Sequence, residues 1–199
     1  MSSPLQNRVT PTGEIVAYPA RGLVMGNRGG RLHTDDRRLG RARWRSKHWL
    51  ICRLAFKNRH RVVMGPGYTE LFFLDEATAL AAGHRPCFEC RRDDAIRFAT
   101  LFPGAGRTRA GVMDRRLHQE RRRNRATAPL DSLPDGAMIH RAGDAYLVWQ
   151  GQAHLWHITG YGPATALDDG PVDVLTPAAT LFVLAAGYSP LVHPSAGGA

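Results

Sequence analysis

The alternation of apolar and polar positions divides the chain into short elements separated by glycine, proline and charged residues. Tyr68 to Leu74 (YTELFFL) is rich in aromatic and aliphatic residues and predicts a short strand. Asp75 stands next, at an N-cap position before EATALAA, a run of good helix formers that Gly83 can end in a left-handed conformation. Asp93 and Asp94 lie near the positive end of a second predicted helix, DDAIRFATLF. Upstream, LICRLAF and HRVVM on either side of Lys57-Asn58 predict a hairpin over Leu50 to Met64. Glu14 to Tyr18 offers a short strand within an otherwise frayed lead. Gly22 to Gly30 reads as a glycine-rich loop without the GK[ST] ending of a phosphate-binding P-loop.

After the break TLFPGAGRTR, residues Gly111 to Arg125 predict a basic helix with a narrow apolar stripe that includes Val112, Met113 and Leu117. From Pro134 the charge density falls. Gly136 to Arg141, Ala145 to Gln150 and His154 to Ile158 predict an antiparallel meander, Val172 to Leu175 a fourth strand, and PAATLFVLAAG a last helix started by Pro177 and ended by Gly187. The expected class is α+β in three parts: a hairpin-and-helix module at 22–101, a basic helical linker at 102–129, and a small meander with one covering helix at 130–199.

Charge changes the picture. The chain carries 27 basic against 17 acidic residues, a formal net charge of +10. Lys47 and Lys57 are its only lysines. Guanidinium forks bind phosphate bidentately and stack on bases, which points to nucleic acid. Two stretches concentrate the charge: Arg37, Arg38, Arg41, Arg43 and Arg45 beside Trp44 and Trp49, and Arg115, Arg116, Arg121, Arg122 and Arg123 on the basic helix. The apolar runs are too short to span a bilayer, and MSSPLQNRVTPTGE lacks an apolar signal core, so no membrane partner and a cytoplasmic location are expected.

Chemistry concentrates at Cys87-Phe88-Glu89-Cys90. Two thiols with two residues between them can turn toward one point and supply half of a tetrahedral zinc shell, while Arg85, Arg91 and Arg92 favour the thiolate. Such a pair also occurs as a redox couple or as unrelated buried thiols. Cys52 is the remaining cysteine, and His48, with three residues between the two, is the expected fourth ligand in competition with His33, His60 and His84. Asp114, His118 and Glu120 on the basic helix form a weaker cluster with the residue types of a nuclease.

Phe72-Phe73, the Ala-rich helix with Glu76 and Ala77, and Ala82-Gly83-His84-Arg85-Pro86-Cys87 with Cys90-Arg91 resemble the second half of the Ada-type zinc-binding domain of DNA-alkylation repair. The resemblance covers residues 68–92. It implies a Zn2+ site, a link to DNA repair, and a cysteine able to accept a methyl group from a DNA phosphotriester, with Cys52 standing where the upstream family cysteines stand. This chain departs from the family in having one upstream cysteine instead of two. The expectation is a zinc-stabilised nucleic-acid-binding protein, with DNA the first choice of partner. An enzyme on nucleic acid and an interaction module for an acidic protein are the alternatives.

Overall fold

The computed structural model describes residues 3–123, 125–166 and 170–197, in which two six-stranded sheets and four α-helices are formed. The first sheet is built from β1 (Gln6–Val9), β2 (Ile15–Ala17), β3 (Val24–Asn27), β4 (Leu50–Cys52), β5 (Leu71–Phe73) and β6 (Arg85–Pro86), in the order β2-β1-β5-β3-β4-β6. Its β1/β5 and β4/β6 pairs are parallel and the rest antiparallel. In chain order, α1 (Glu76–Ala81) falls between β5 and β6, and α2 (Arg92–Leu101) and α3 (Ala110–Glu120) between β6 and the second sheet. The second sheet, wholly antiparallel, holds β7 (Thr127–Pro129), β8 (Met138–Arg141), β9 (Asp144–Trp149), β10 (Gln152–His157), β11 (Gly160–Thr165) and β12 (Pro171–Val174), ordered β11-β10-β9-β8-β12-β7. Helix α4 (Ala178–Ala185) is the last of the four.

One continuous core joins the two sheets. Val9, Val24, Ile51 and Phe73 of the first pack in the same cluster as Ile139, Val148 and Val172 of the second, with Met113 and Leu117 of α3 and Val183 of α4 among them. The segment 102–129 is more than a linker, since α3 buries Met113 and Leu117 in that shared core, while Val112 of the expected stripe is exposed.

Helix α1 forms as the sequence predicts: Thr78 N donates to Asp75 Oδ1 at 2.9 Å, and Gly83 takes φ +83° just past the helix end. All six α1 residues are buried, and the C-terminal segment clamps the helix entrance. Asp75 accepts from Tyr161 Oη (2.8 Å) and His193 N (3.0 Å), while Glu76 accepts from Tyr188 Oη (2.7 Å), Leu191 N (2.9 Å) and Arg91 Nη2 (2.8 Å). Burial pushes the Asp75 carboxyl up despite its hydrogen bonds, since an interior site penalises charge more than those donors restore.

Three expectations are corrected. The lead is not frayed: β1 lies inside the sheet, with Arg8 registered against Phe72 and Asn7 Nδ2 donating to Glu70 O at 3.0 Å. The glycine-rich stretch is strand β3, entered through Gly22, whose φ of +75° and 2.0 Å between a notional Cβ and Phe73 O admit no side chain. The hairpin over 50–64 does not form. Both edges of β4 are taken, by β3 (Met25 opposite Cys52) and by β6 (Leu50 opposite Arg85), so HRVVM has no edge to pair with. Residues 53–70 instead run as an irregular excursion, with Lys57, Asn58 and Met64 at positive φ. The meander and last helix match the expectation, and β11 adds a strand that Pro163 obscured; its place at the sheet edge tolerates the missing N–H.

Candidate metal centre and basic face

Side-chain alternation along β4 puts Ile51 into the shared core and Cys52 on the opposite face, beside Met25 and Phe72 in a second apolar cluster. The parallel β4/β6 pair then does what sequence distance conceals. Cys87 N donates to Ile51 O at 3.0 Å, carrying the turn after β6 to the end of β4. Cys52, Cys87 and Cys90 converge so that their sulfurs lie within 4.8 Å of one another. Sulfurs about 2.3 Å from one tetrahedral ion stand about 3.8 Å apart, so the trio is of a size to hold a metal ion.

The turn supports sulfur charge. Glu89 N donates to Cys87 Sγ at 3.4 Å, and the Cys90 amide adds to the same effect. At Cys90 the bond from Cys52 is outweighed by its own bond to Cys87 and by burial, so that thiol is raised. Hydrogen bonds from Cys52 and then Cys90 draw the Cys87 thiol far below its ordinary range; Cys52, as donor to Cys87 and Cys90, is pushed up. A buried cluster of three soft donors suits a thiophilic cation better than a hard one. The 53–70 excursion covers it: Phe56, Val63 and Tyr68 pack on the cluster, and Arg59 pairs with Glu89 between the two knuckle cysteines.

The expected fourth ligand is elsewhere. His48 is 65% exposed and its Nε2 lies 3.8 Å from Asp114 Oδ2. His33 is held between Thr69 Oγ1 (2.6 Å) and Gly65 O (2.8 Å), and His84 is buried among rings. His60 is exposed and also outside the trio. Among the described residues, no histidine or carboxylate completes the three-sulfur set.

The nuclease-type cluster does not assemble. Arg85 Nε and Nη2 donate to the two oxygens of Asp114 at 2.8 and 2.9 Å, an ion pair with side chains only 5% and 3% exposed. Glu120 is engaged by Arg116 and by Ala179 N (3.0 Å). His118 packs edge-on to Trp44, ring centroids 5.0 Å apart, and burial followed by Arg121, Lys47 and Arg122 lowers its basicity.

That ring contact belongs to a larger junction. The Trp44/His118 pair and the bond from Arg121 Nη2 to Lys47 O (3.3 Å) bring the two arginine-rich stretches together. Arg28 and Arg121 each place their guanidinium carbon 4.0 Å from the Trp49 ring centroid. Arg37, Arg38, Arg41, Arg43, Arg45, Arg115, Arg116, Arg122 and Arg123 are exposed, whereas Arg121 is half-buried. Some are partly engaged: Arg37 Nη2 donates to Val63 O (2.9 Å), Arg45 Nε to Arg31 O (2.8 Å), and Arg38 pairs with Asp36 at 3.1 Å.

Arg28, a residue the sequence did not single out, is 2% exposed and has no carboxylate partner among the described residues. Its Nη2 donates to Gly13 O (2.9 Å) and its Nε to His84 Nε2 (3.4 Å). Burial, then Arg121 and Arg43, pull it down to about 9; burial likewise pulls Arg121 down to about 10 against support from Asp114. Its only sequence signal was an arginine directly after an otherwise uncharged strand. No family model, curated protein or solved structure matches the chain. No helix among the described residues is long and apolar enough to cross a membrane.

Proposed function

We propose that this protein binds nucleic acid, DNA in the first instance, through its arginine-rich face, and that Zn2+ held by Cys52, Cys87 and Cys90 braces the first sheet. The observation that supports binding is the meeting of residues 37–47 with the end of α3, two stretches separated by some seventy residues, at the Trp44/His118 and Lys47/Arg121 contacts. Phosphates laid along that junction would displace counterions, and the exposed Trp44 offers a ring to unstacked bases. The zinc reading rests on three buried soft donors with amide support; a fourth donor would come from water or a partner. A link to DNA repair follows from the Ada-type resemblance of residues 68–92.

Titration of a labelled single strand and duplex at several salt concentrations tests this. With about six phosphates held, affinity falls on the order of a thousandfold between 50 and 200 mM salt. Substituting Arg122 and Arg123 by Gln flattens that slope by about one unit for each duplex phosphate no longer held. Salt-insensitive or absent binding to every strand rules the proposal out and favours an acidic protein partner. A second reading has one observation behind it, the incomplete three-sulfur set: Cys52 as a methyl acceptor, its sulfur, once metal binding has displaced the thiol proton, attacking the methyl carbon of a phosphotriester and releasing the phosphodiester anion. Intact mass after incubation with methylphosphotriester DNA decides, since an unchanged mass excludes transfer.

A further inference from the structure

A cavity of about 620 Å³ opens between the first sheet, α3 and the start of α4. Arg28, Arg43, Arg116, Arg121, Arg123 and Arg125 line it, against one acid, Glu120. Glu120 is already committed to Arg116 and to Ala179 N, so it neutralises none of the other five. Arg121 is the sharpest case. Its Nη2 reaches a backbone carbonyl, but Nε and Nη1 are buried with no hydrogen-bond partner. Arg28 spends its donors on Gly13 O, Arg43 O and a histidine nitrogen, none of which carries negative charge. Arg123 and Arg125 form no ion pair among the described residues.

Concentrated guanidinium charge in a concave, partly desolvated site is unfavourable unless an anion is bound there. A small monoanion would leave most of that charge uncompensated. The cavity lies within the size range of small-molecule sites, and Thr176 and the apolar Ala178 and Leu181 form part of its wall, a setting for a neutral body attached to a charged head. Guanidinium donors match tetrahedral phosphate oxygens in geometry and number.

We infer that this cavity is a binding site for a phosphate-monoester dianion, with Arg121 and Arg125 as direct donors. The monoester has two sources, a free sugar phosphate or the phosphorylated end of a nucleic-acid strand, and the cavity's geometry stands whether or not the outer face binds strands.

The test is calorimetric titration of the full chain with ribose 5-phosphate, with ribose as the uncharged control, at matched ionic strength. Saturable binding of ribose 5-phosphate but not ribose is expected. Arg121→Gln and Arg125→Gln each weaken it about tenfold to a hundredfold, whereas Arg97→Gln, the same charge change on α2, leaves it unchanged. Arg125 is exposed and makes no described ion pair, so its variant is informative even where Arg121→Gln unfolds. A single-stranded oligonucleotide with a 5′-phosphate is then compared with its 5′-hydroxyl twin. A preference for the phosphorylated strand that both cavity variants abolish assigns a strand end; equal affinity alongside retained ribose 5-phosphate binding assigns a free phosphate. Binding of ribose 5-phosphate without binding of any strand refutes the nucleic-acid proposal and keeps this one. No binding of ribose 5-phosphate or of a phosphorylated end, or binding that all three variants weaken equally, overturns it.

Discussion

Removing the Asp114 carboxylate is expected to destabilise the protein strongly by orphaning a buried guanidinium. Asp114→Ala leaves the Arg85 guanidinium, only 5% exposed, without the two charge-assisted bonds at 2.8 and 2.9 Å that balance it. Its remaining hydrogen bond, Arg85 Nη1 to Pro86 O at 3.1 Å, carries no compensating charge. Breaking one side of a buried pair costs about 3–5 kcal/mol. For a chain of this length each kcal/mol moves Tm by about 2–4 °C, so the fall is about 6–20 °C. The matched double variant Arg85→Met/Asp114→Leu has no orphaned charge and should lose far less than the single change. Thermal unfolding of the wild type, Arg85→Met, Asp114→Leu and the double variant closes the cycle, with Asp114→Ala measured alongside. A single-variant loss under about 1 kcal/mol, or a double variant as damaged as Asp114→Ala, would refute the claim that this carboxylate serves to neutralise Arg85. Because Arg85 begins the β6 segment that brings Cys87 beside Cys52, the same variants should also weaken metal retention, read as zinc per chain after dialysis.

Further outcomes can be checked on the same preparations. About one zinc per chain is expected after purification without added metal, lost in Cys87→Ser; chelation of a metal present at a thousandfold over its Kd removes about 4 kcal/mol. Tyr188→Phe leaves Glu76 Oε1 without its 2.7 Å donor and should cost about 1–3 kcal/mol, measured by denaturant midpoint, with the C-terminal segment exchanging amide hydrogens faster. Burial, then Arg28 and Arg121, hold His84 well below its ordinary value, with Trp49 and Phe73 as ring neighbours. Its unfolded form takes up the proton first, so its contribution is complete above about pH 6.5 and is lost at up to about 1.4 kcal/mol per unit as pH falls below that. His84→Gln should flatten the Tm profile between about pH 7.5 and 5, and an unchanged slope would contradict the assignment. Gly22→Ala should fail to fold or lose several kcal/mol, because its φ and the Phe73 carbonyl both exclude a Cβ.

The readings that held are those carried by adjacent residues. The N-cap at Asp75, the stop at Gly83, the thiol knuckle at 87–90, the meander turns and the last helix all depend on neighbours within a few positions, whose propensities and capping bonds act locally. Two arginine-rich stretches were also plain, because charge needs no fold to be counted. Residue type alone put Cys52 with Cys87 and Cys90, and the three do converge. What the sequence did not show was the strand pairing that achieves it, because β4 and β6 run parallel and a parallel pair leaves no turn between its strands. His48, correctly spaced to bind beside Cys52, is exposed near Asp114 because spacing along an extended segment does not fix direction. The 50–64 hairpin was lost to competition for the edges of β4, and Asp114 was taken up by an arginine 29 positions earlier. The arginine cavity was the least legible feature. Its walls come from the turn after β1, α3, the β12 end and α4, so only closure of the two sheets onto one core brings that uncompensated charge together.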